Sequence, residues 1–141
     1  MKPGYKIIIA GLIIYGGVKI VHHIEVSPYV DRIKIFMNDL KGSRFFDAQG
    51  RLGIDLQEYV SVDKLMKFKQ DNNLSGYKDI SLNDWESKDG NYTLQGDIVY
   101  GNGNKEKFVS VLRKDNNDTV EIEKFVLKGY RLMPNSSELS Q

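Results

Sequence analysis

Residues 89–100 read DGNYTLQGDIVY, and the reading of this stretch decides the fold. Asp-Gly is the dipeptide of a two-residue type I′ turn, which needs positive φ at both central positions. After it, Tyr92, Leu94, Gly96, Ile98 and Tyr100 alternate with Thr93, Gln95 and Asp97. A period of two marks a strand with one face toward a core. Residues 89–90 therefore close a hairpin, and a strand leaves it.

Working outward, Ile80, Leu82 and Trp85 mark the partner strand, which starts near Lys78. On the other side, Gly101-Asn102-Gly103-Asn104 turns the chain into a third strand, Phe108 to Leu112. Asp115-Asn116-Asn117-Asp118 is the next turn, and Val120 to Lys128 the fourth strand. Its apolar residues change face at Lys124-Phe125, which predicts either a bulge there or burial of both faces near the end of the strand. Successive strands joined by tight turns make an antiparallel meander. Residues 133–141, MPNSSELSQ, read as a disordered polar tail.

Two helices precede the strands. Ser27-Pro28 is an N-cap followed by proline at the first helical position. Val30, Ile33, Phe36, Met37 and Leu40 then form one apolar face, and Gly42 stops the helix, predicting 28–41. Ser61 caps a second helix over 61–72, with Leu65, Met66 and Phe68 on its face. Between the helices, Phe45–Leu52 (FFDAQGRL) reads as a tight turn, with a short hairpin around it. The expected class is α+β: an N-terminal anchor helix, then two helices packed on a four-stranded antiparallel sheet. This is a cystatin-like shape, one that unrelated functions share.

The only long apolar run is Tyr5–Ile24, YKIIIAGLIIYGGVKIVHHI. As a helix, Ile7–Ile24 would span about 27 Å, against about 30 Å for a bilayer core. Lys19 would have to snorkel, and Tyr5, Lys6, His22 and His23 suit the interfaces. The expected organisation is an anchor at 1–26, a small α+β domain at 27–132 and a tail at 133–141. Residues 5–24 would meet the lipid bilayer as a single-pass signal anchor, with the domain on the non-cytoplasmic side. A cleaved signal peptide and a buried core helix are the competing readings of the same run.

The 141 residues carry 20 basic and 19 acidic side chains. Lys2, Lys6, Lys19 and Glu25 belong to the anchor region, so the domain is close to neutral. No basic field exists to attract nucleic acid. The absence of cysteine excludes disulfides, thiolate metal sites and a cysteine nucleophile.

Chemistry-bearing patterns are sparse. His22 and His23 are adjacent, so on a helix they point about 100° apart and make no metal site alone. The loop 101–104 is followed by a strand pattern, not by the helix N-terminus a phosphate cradle needs. Asp47 and Asp115–Asp118 lack calcium-loop spacing. No cofactor, metal or catalytic set is read, and an enzyme is not expected. Of the aromatic residues around the sheet, Trp85, Tyr92 and Tyr100 are the candidate binding surface.

The leading expectation is a membrane-anchored, non-enzymatic binding or assembly module that docks a protein partner, through the free sheet edge or the anchor helix. A second reading rests on Met1-Lys2-Pro3-Gly4 before an apolar helix, which resembles a very short prepilin leader. The amphipathic helix and antiparallel sheet then follow as in pilins, which implies a structural subunit. The acidic residue that pilins carry early in that helix would fall at Ile8 or Ile9, and neither is acidic. A third reading is a small-molecule-binding or enzymatic α+β domain that uses the concavity of the sheet.

Overall fold

The computed structural model describes residues 14–127 and 130–132. The α+β class and the antiparallel meander are as the sequence implies. Helix α1 is Ile14–Lys41, α2 Phe45–Gly50, α3 Ile54–Gln57 and α4 Val62–Asp71, followed by a 3₁₀ turn at Leu74–Gly76. Strands β1 Tyr77–Lys88, β2 Asn91–Tyr100, β3 Lys105–Lys114, β4 Val120–Leu127 and β5 Tyr130–Leu132 pair in chain order. The expected tail at 133–141 and the first part of the expected anchor lie outside the described residues. Among the described residues, no helix is long and apolar enough to cross a membrane.

The core is one layer of helix on one face of the sheet. Val26, Tyr29, Ile33, Phe36, Met37 and Leu40 recur at helical spacing on α1 and are buried. They meet the inward residues of the strands, among them Leu94, Ile98, Phe108, Leu112 and Phe125.

Three expectations are corrected. First, α1 does not begin at Ser27-Pro28; it runs through Pro28 without interruption. Proline removes one backbone N–H and crowds the carbonyl four residues earlier. Here Pro28 faces solvent while Val26 and Tyr29 on either side are buried, and that packing holds the helix together. Second, Phe45–Gly50 is a short helix and not a hairpin. Ala48 is buried beneath it, and Asp47 sits in its first turn, where the helix dipole favours a carboxylate. The chain enters α2 through Ser43, which takes a left-handed conformation (φ 62) just past Gly42. Third, the sheet has a short fifth strand, β5, paired with Phe125–Leu127.

The turns follow their chemistry. Asp89 and Gly90 both have positive φ (54 and 83), as a type I′ turn requires. A Cβ on Gly90 would meet nothing within 4 Å. Gly90→Ala should therefore cost only the conformational penalty, about 1 kcal/mol. A denaturant midpoint shifted by that amount at unchanged slope checks it; a shift several times larger would mean the turn has hidden packing. Gly96 is different. A Cβ there would collide with the Ser81 carbonyl and press on Leu82 and the Phe108 ring. Neighbouring chain and ring approach so closely there that only glycine fits.

Irregularities in the ladder blunt the sheet edges. The predicted bulge in β4 is present: Val111 faces Lys124 and Leu112 faces Ile122, which leaves Glu123 as the extra residue. One half of the outer edge of β4 is covered by β5. The other half is covered by Arg51–Gly53, where Gly53 N–H donates to Ile122 O (2.8 Å) and Ile122 N–H to Arg51 O (3.0 Å). The free edge is β1, whose register slips twice. There Asp79 and Asp84 each accept the N–H of the following residue at 2.8 Å. Bulges and edge carboxylates discourage the addition of a further strand.

Candidate functional site

The three aromatic residues singled out from the sequence do not form one surface. Tyr92 and Tyr100 lie at opposite ends of β2, which is 10 residues long, or about 33 Å. Trp85 joins Tyr92, with ring centroids 5.8 Å apart and planes at 21°. Tyr29 of α1 stacks on Tyr92, with centroids 3.9 Å apart. The Tyr92 hydroxyl donates to Glu25 Oε2 at 2.9 Å. This stack ties the start of the packed part of α1 to the tip of the β1–β2 hairpin. Trp85 and Tyr92 are only half-buried, yet their rings are engaged with one another and with α1. Tyr29 was legible only as a helix residue next to Pro28, and nothing in the sequence joins it to Tyr92.

Tyr100 belongs to the far end of the sheet. It faces a cleft of about 320 Å³ between the end of α4 and the β2–β3 hairpin. The side chains around this cleft are polar: Asp71, Asn72, Asn73, Asn102, Asn104 and Glu106 beside Tyr100. The Tyr100 hydroxyl lies 2.9 Å from Glu106 Oε1 and 3.2 Å from the Asn72 carbonyl. Asn102 Oδ1 accepts the Asn104 N–H at 2.9 Å and shapes the hairpin. Residues 101–104 form a turn, as their composition implies, and the cleft lies between it and the end of α4 with the 3₁₀ turn. A second hollow, between Phe45 and α4, is occupied at its rim by Lys69. The Lys69 ammonium donates to Lys41 O and Ser43 Oγ, and so satisfies the C-terminal end of α1.

Four tyrosines hold their protons more tightly than usual. Burial raises Tyr29 and raises Tyr77 to about 12, with Asp79 adding to the latter. Burial also raises Tyr92 and Tyr100, each helped by the carboxylate it donates to, Glu25 or Glu106. The folded pKa lies above the unfolded value, so this stability is full below about pH 10 and lost as pH rises toward the folded values. Stability should thus fall between about pH 10 and 12, with Tyr29, Tyr77, Tyr92 and Tyr100 ionising late in absorbance titration. Stability unchanged across that range would contradict the assignment.

Among the described residues, no group of three or more His, Asp or Glu side chains is placed to hold a metal ion. Glu121 and Glu123 are both raised by burial first; Asp115 and then Glu123 add to the rise at Glu121, while Arg113 opposes it at Glu123. The side chains of His22 and His23 lie outside the described set. No protein-family model, curated protein or solved structure matches the chain.

Proposed function

We propose that this chain is a membrane-tethered, non-enzymatic docking module for a protein partner. The observation that carries the proposal is the continuity of α1. Its 28 residues, about 42 Å as a helix, include both the end of the apolar run and the helix at the centre of the core. A tether built this way has no flexible joint at residues 24–29. It sets the orientation of the domain as well as its distance from the bilayer. The stack of Tyr29, Tyr92 and Trp85, with Glu25 bonded to Tyr92, braces the helix where it enters the domain. Confinement at a surface raises effective concentration, so a tethered module needs little intrinsic affinity. Exposed apolar side chains on three successive helices supply contacts: Phe46 (80% exposed), Ile54 (73%) and Met66 (48%).

The same continuity favours a second reading, a pilin-like subunit. An unbroken helix that is apolar in its first half and packed on an antiparallel sheet in its second is what that resemblance implies. Ile8 and Ile9 remain the departure from it.

Intact mass of the protein taken from host membranes separates the readings. A full-length chain that resists alkaline extraction is the expected result. Loss of Met1–Gly4, especially with an added methyl group, would replace the docking module with the pilin-like subunit. Loss of twenty or so residues would mean a secreted domain and sink the tether.

A further inference from the structure

We propose that the open face of the sheet binds a second copy of this chain, face to face, about a two-fold axis parallel to the strands. The buried strand residues face the helices. On the other face of β1–β4 no described residue is buried. The cross-strand register sets the side chains of that face in rows. One row, from β1 to β4, is Glu86, Thr93, Val111 and Lys124. The next is Asp84, Gln95, Val109 and Val126. Strand propensity alone accounts for valine on an open face. It does not account for the order of the charges.

Three rows carry opposite charges at mirrored positions. Glu86 lies on β1 and Lys124 on β4. Lys88 lies on β1 and Glu121 on β4, with Asn91 and Arg113 between them. Asp97 lies on β2 and Lys107 on β3. Within one chain Asp97 and Lys107 are direct neighbours, as are Arg113 and Glu121, so these partly offset each other. Glu86 and Lys124 are three strand spacings apart, about 14 Å. Neither is in an ion pair among the described residues. A two-fold axis along the strands, between β2 and β3, lays β1 of one copy over β4 of the other and β2 over β3. Each row then meets itself reversed. Glu86 meets Lys124 of the second copy, Lys88 meets its Glu121, and Asp97 meets its Lys107, each pair formed twice. Thr93 and Val111 close over one another at the centre. Stacked sheets are turned by about 30°, which moves a strand about 7 Å from the axis by about one residue, within reach of lysine and glutamate. An axis across the strands would instead lay β1 on β1, with Asp84 and Glu86 against their own copies, and like charges disfavour that.

The face is large enough for a weak dimer. Four strands about 4.8 Å apart, with about 3.3 Å for each of the 10 residues of β2 and β3, present about 600 Å² a side. The total, about 1,200 Å², is at the lower limit of specific interfaces. The direction of α1 gives a second reason for this axis, and that reason rests on the tether; the charge order does not. Glu25 near the start of α1 is bonded to Tyr92, and Lys41 at its end donates to Tyr77 O at the opposite end of the sheet. Rotation about an axis along the strands keeps both α1 helices running the same way, so both tethers leave the dimer at one end, as a single membrane requires. Phe46, Ile54 and Met66 belong to the helices, which leaves them to a different partner.

The test is sedimentation equilibrium of the full chain in density-matched detergent micelles at low salt. A monomer–dimer equilibrium is expected, with a dissociation constant of about micromolar or weaker. Glu86→Lys and Lys124→Glu should each weaken it by about tenfold or more, because symmetry counts each new repulsion twice. An equimolar mixture of the two variants should return to within about threefold of the parent, since each copy then brings the charge the other lacks. A folding defect in either variant would not be repaired by mixing. Val111→Lys, at the centre of the face, should abolish the dimer. Absence of a dimer at about 1 mM chain, a dimer indifferent to all three changes, which would place the contact in the anchor helix, or a mixture no tighter than its components would each overturn the proposal. Intact mass, which tests the tether, is unaffected by any of these outcomes.

Discussion

Phe125→Ala is expected to remove about 4 kcal/mol of stability, the largest effect of any single truncation in this domain. Phe125 is fully buried on β4. It stacks on Phe108 of β3 (centroids 5.7 Å, planes at 16°) and meets Phe36 of α1 edge-on at 5.7 Å. Phe68 of α4 stands perpendicular to it at 6.1 Å. One ring thus joins the sheet to both long helices. Truncating a buried phenylalanine costs about 3–5 kcal/mol in transfer and cavity terms. The paired rings here are well oriented and lose about 0.5–1.5 kcal/mol more per contact if their neighbours cannot close in. A small domain has only about 5–15 kcal/mol to lose. Urea unfolding of Phe125→Ala beside Phe125→Leu tests this. The leucine variant should keep most of the stability, since it refills much of the space. A loss below about 2 kcal/mol for alanine would mean that the core collapses around the gap, contrary to the three-way contact.

That ring is inward because of the bulge, and the bulge was legible. Val120 and Ile122 face the core, and a strict period of two would then bury Lys124 and expose Phe125. The extra residue at Glu123 returns Phe125 and Leu127 to the inside. The meander, its Asp-Gly turn and the helix at Val62–Asp71 were equally plain, because alternation, turn residues and caps are local signals. What was hidden depends on partners distant in sequence. Proline at 28 has the local chemistry of a helix start, and only the burial of Val26 and Tyr29 against the sheet overrides it. β5 is three residues long, too short to show any period. Phe45–Gly50 carries turn residues, and its helix is fixed by Ala48 packing beneath it and by pairing of the following residues with β4. The separation of Tyr92 from Tyr100 was readable from their places on one strand. The arrival of Tyr29 between helix and hairpin was not, because registration of helix on sheet has no sequence signature.

Asp39→Ala is the second large effect, expected at about 2–3 kcal/mol. Asp39 is a carboxylate only 4% exposed, on the flank of α1. Arg44 Nε lies 3.2 Å from Oδ1, and Arg51 Nε 2.9 Å from Oδ2. Its main-chain carbonyl also accepts the Arg44 N–H at 2.8 Å. Arg32 packs nearby, its pKa lowered by burial and then by the charge of Arg51. Removing one partner of a buried pair costs about 3–5 kcal/mol when the orphaned charge stays buried. Here the side chain of Arg44 is 52% exposed and can return to water, which sets the estimate below that range. Arg51 is the more enclosed of the two and precedes Leu52, the residue that bridges to β4. The asymmetry gives a sharper test than the single variant. In double-mutant cycles, Asp39 should couple to Arg51 by about 1–2 kcal/mol and to Arg44 by less than about 1. Equal couplings, or a loss under about 1 kcal/mol for Asp39→Ala, would show that the carboxylate does not join α1 to the segment after it. α2 and α3 carry the exposed Phe46 and Ile54, and Asp39 ties α1 through Arg44 and Arg51 to the chain that bears them. Loosening that link should raise protease cleavage between residues 43 and 60 before the sheet unfolds.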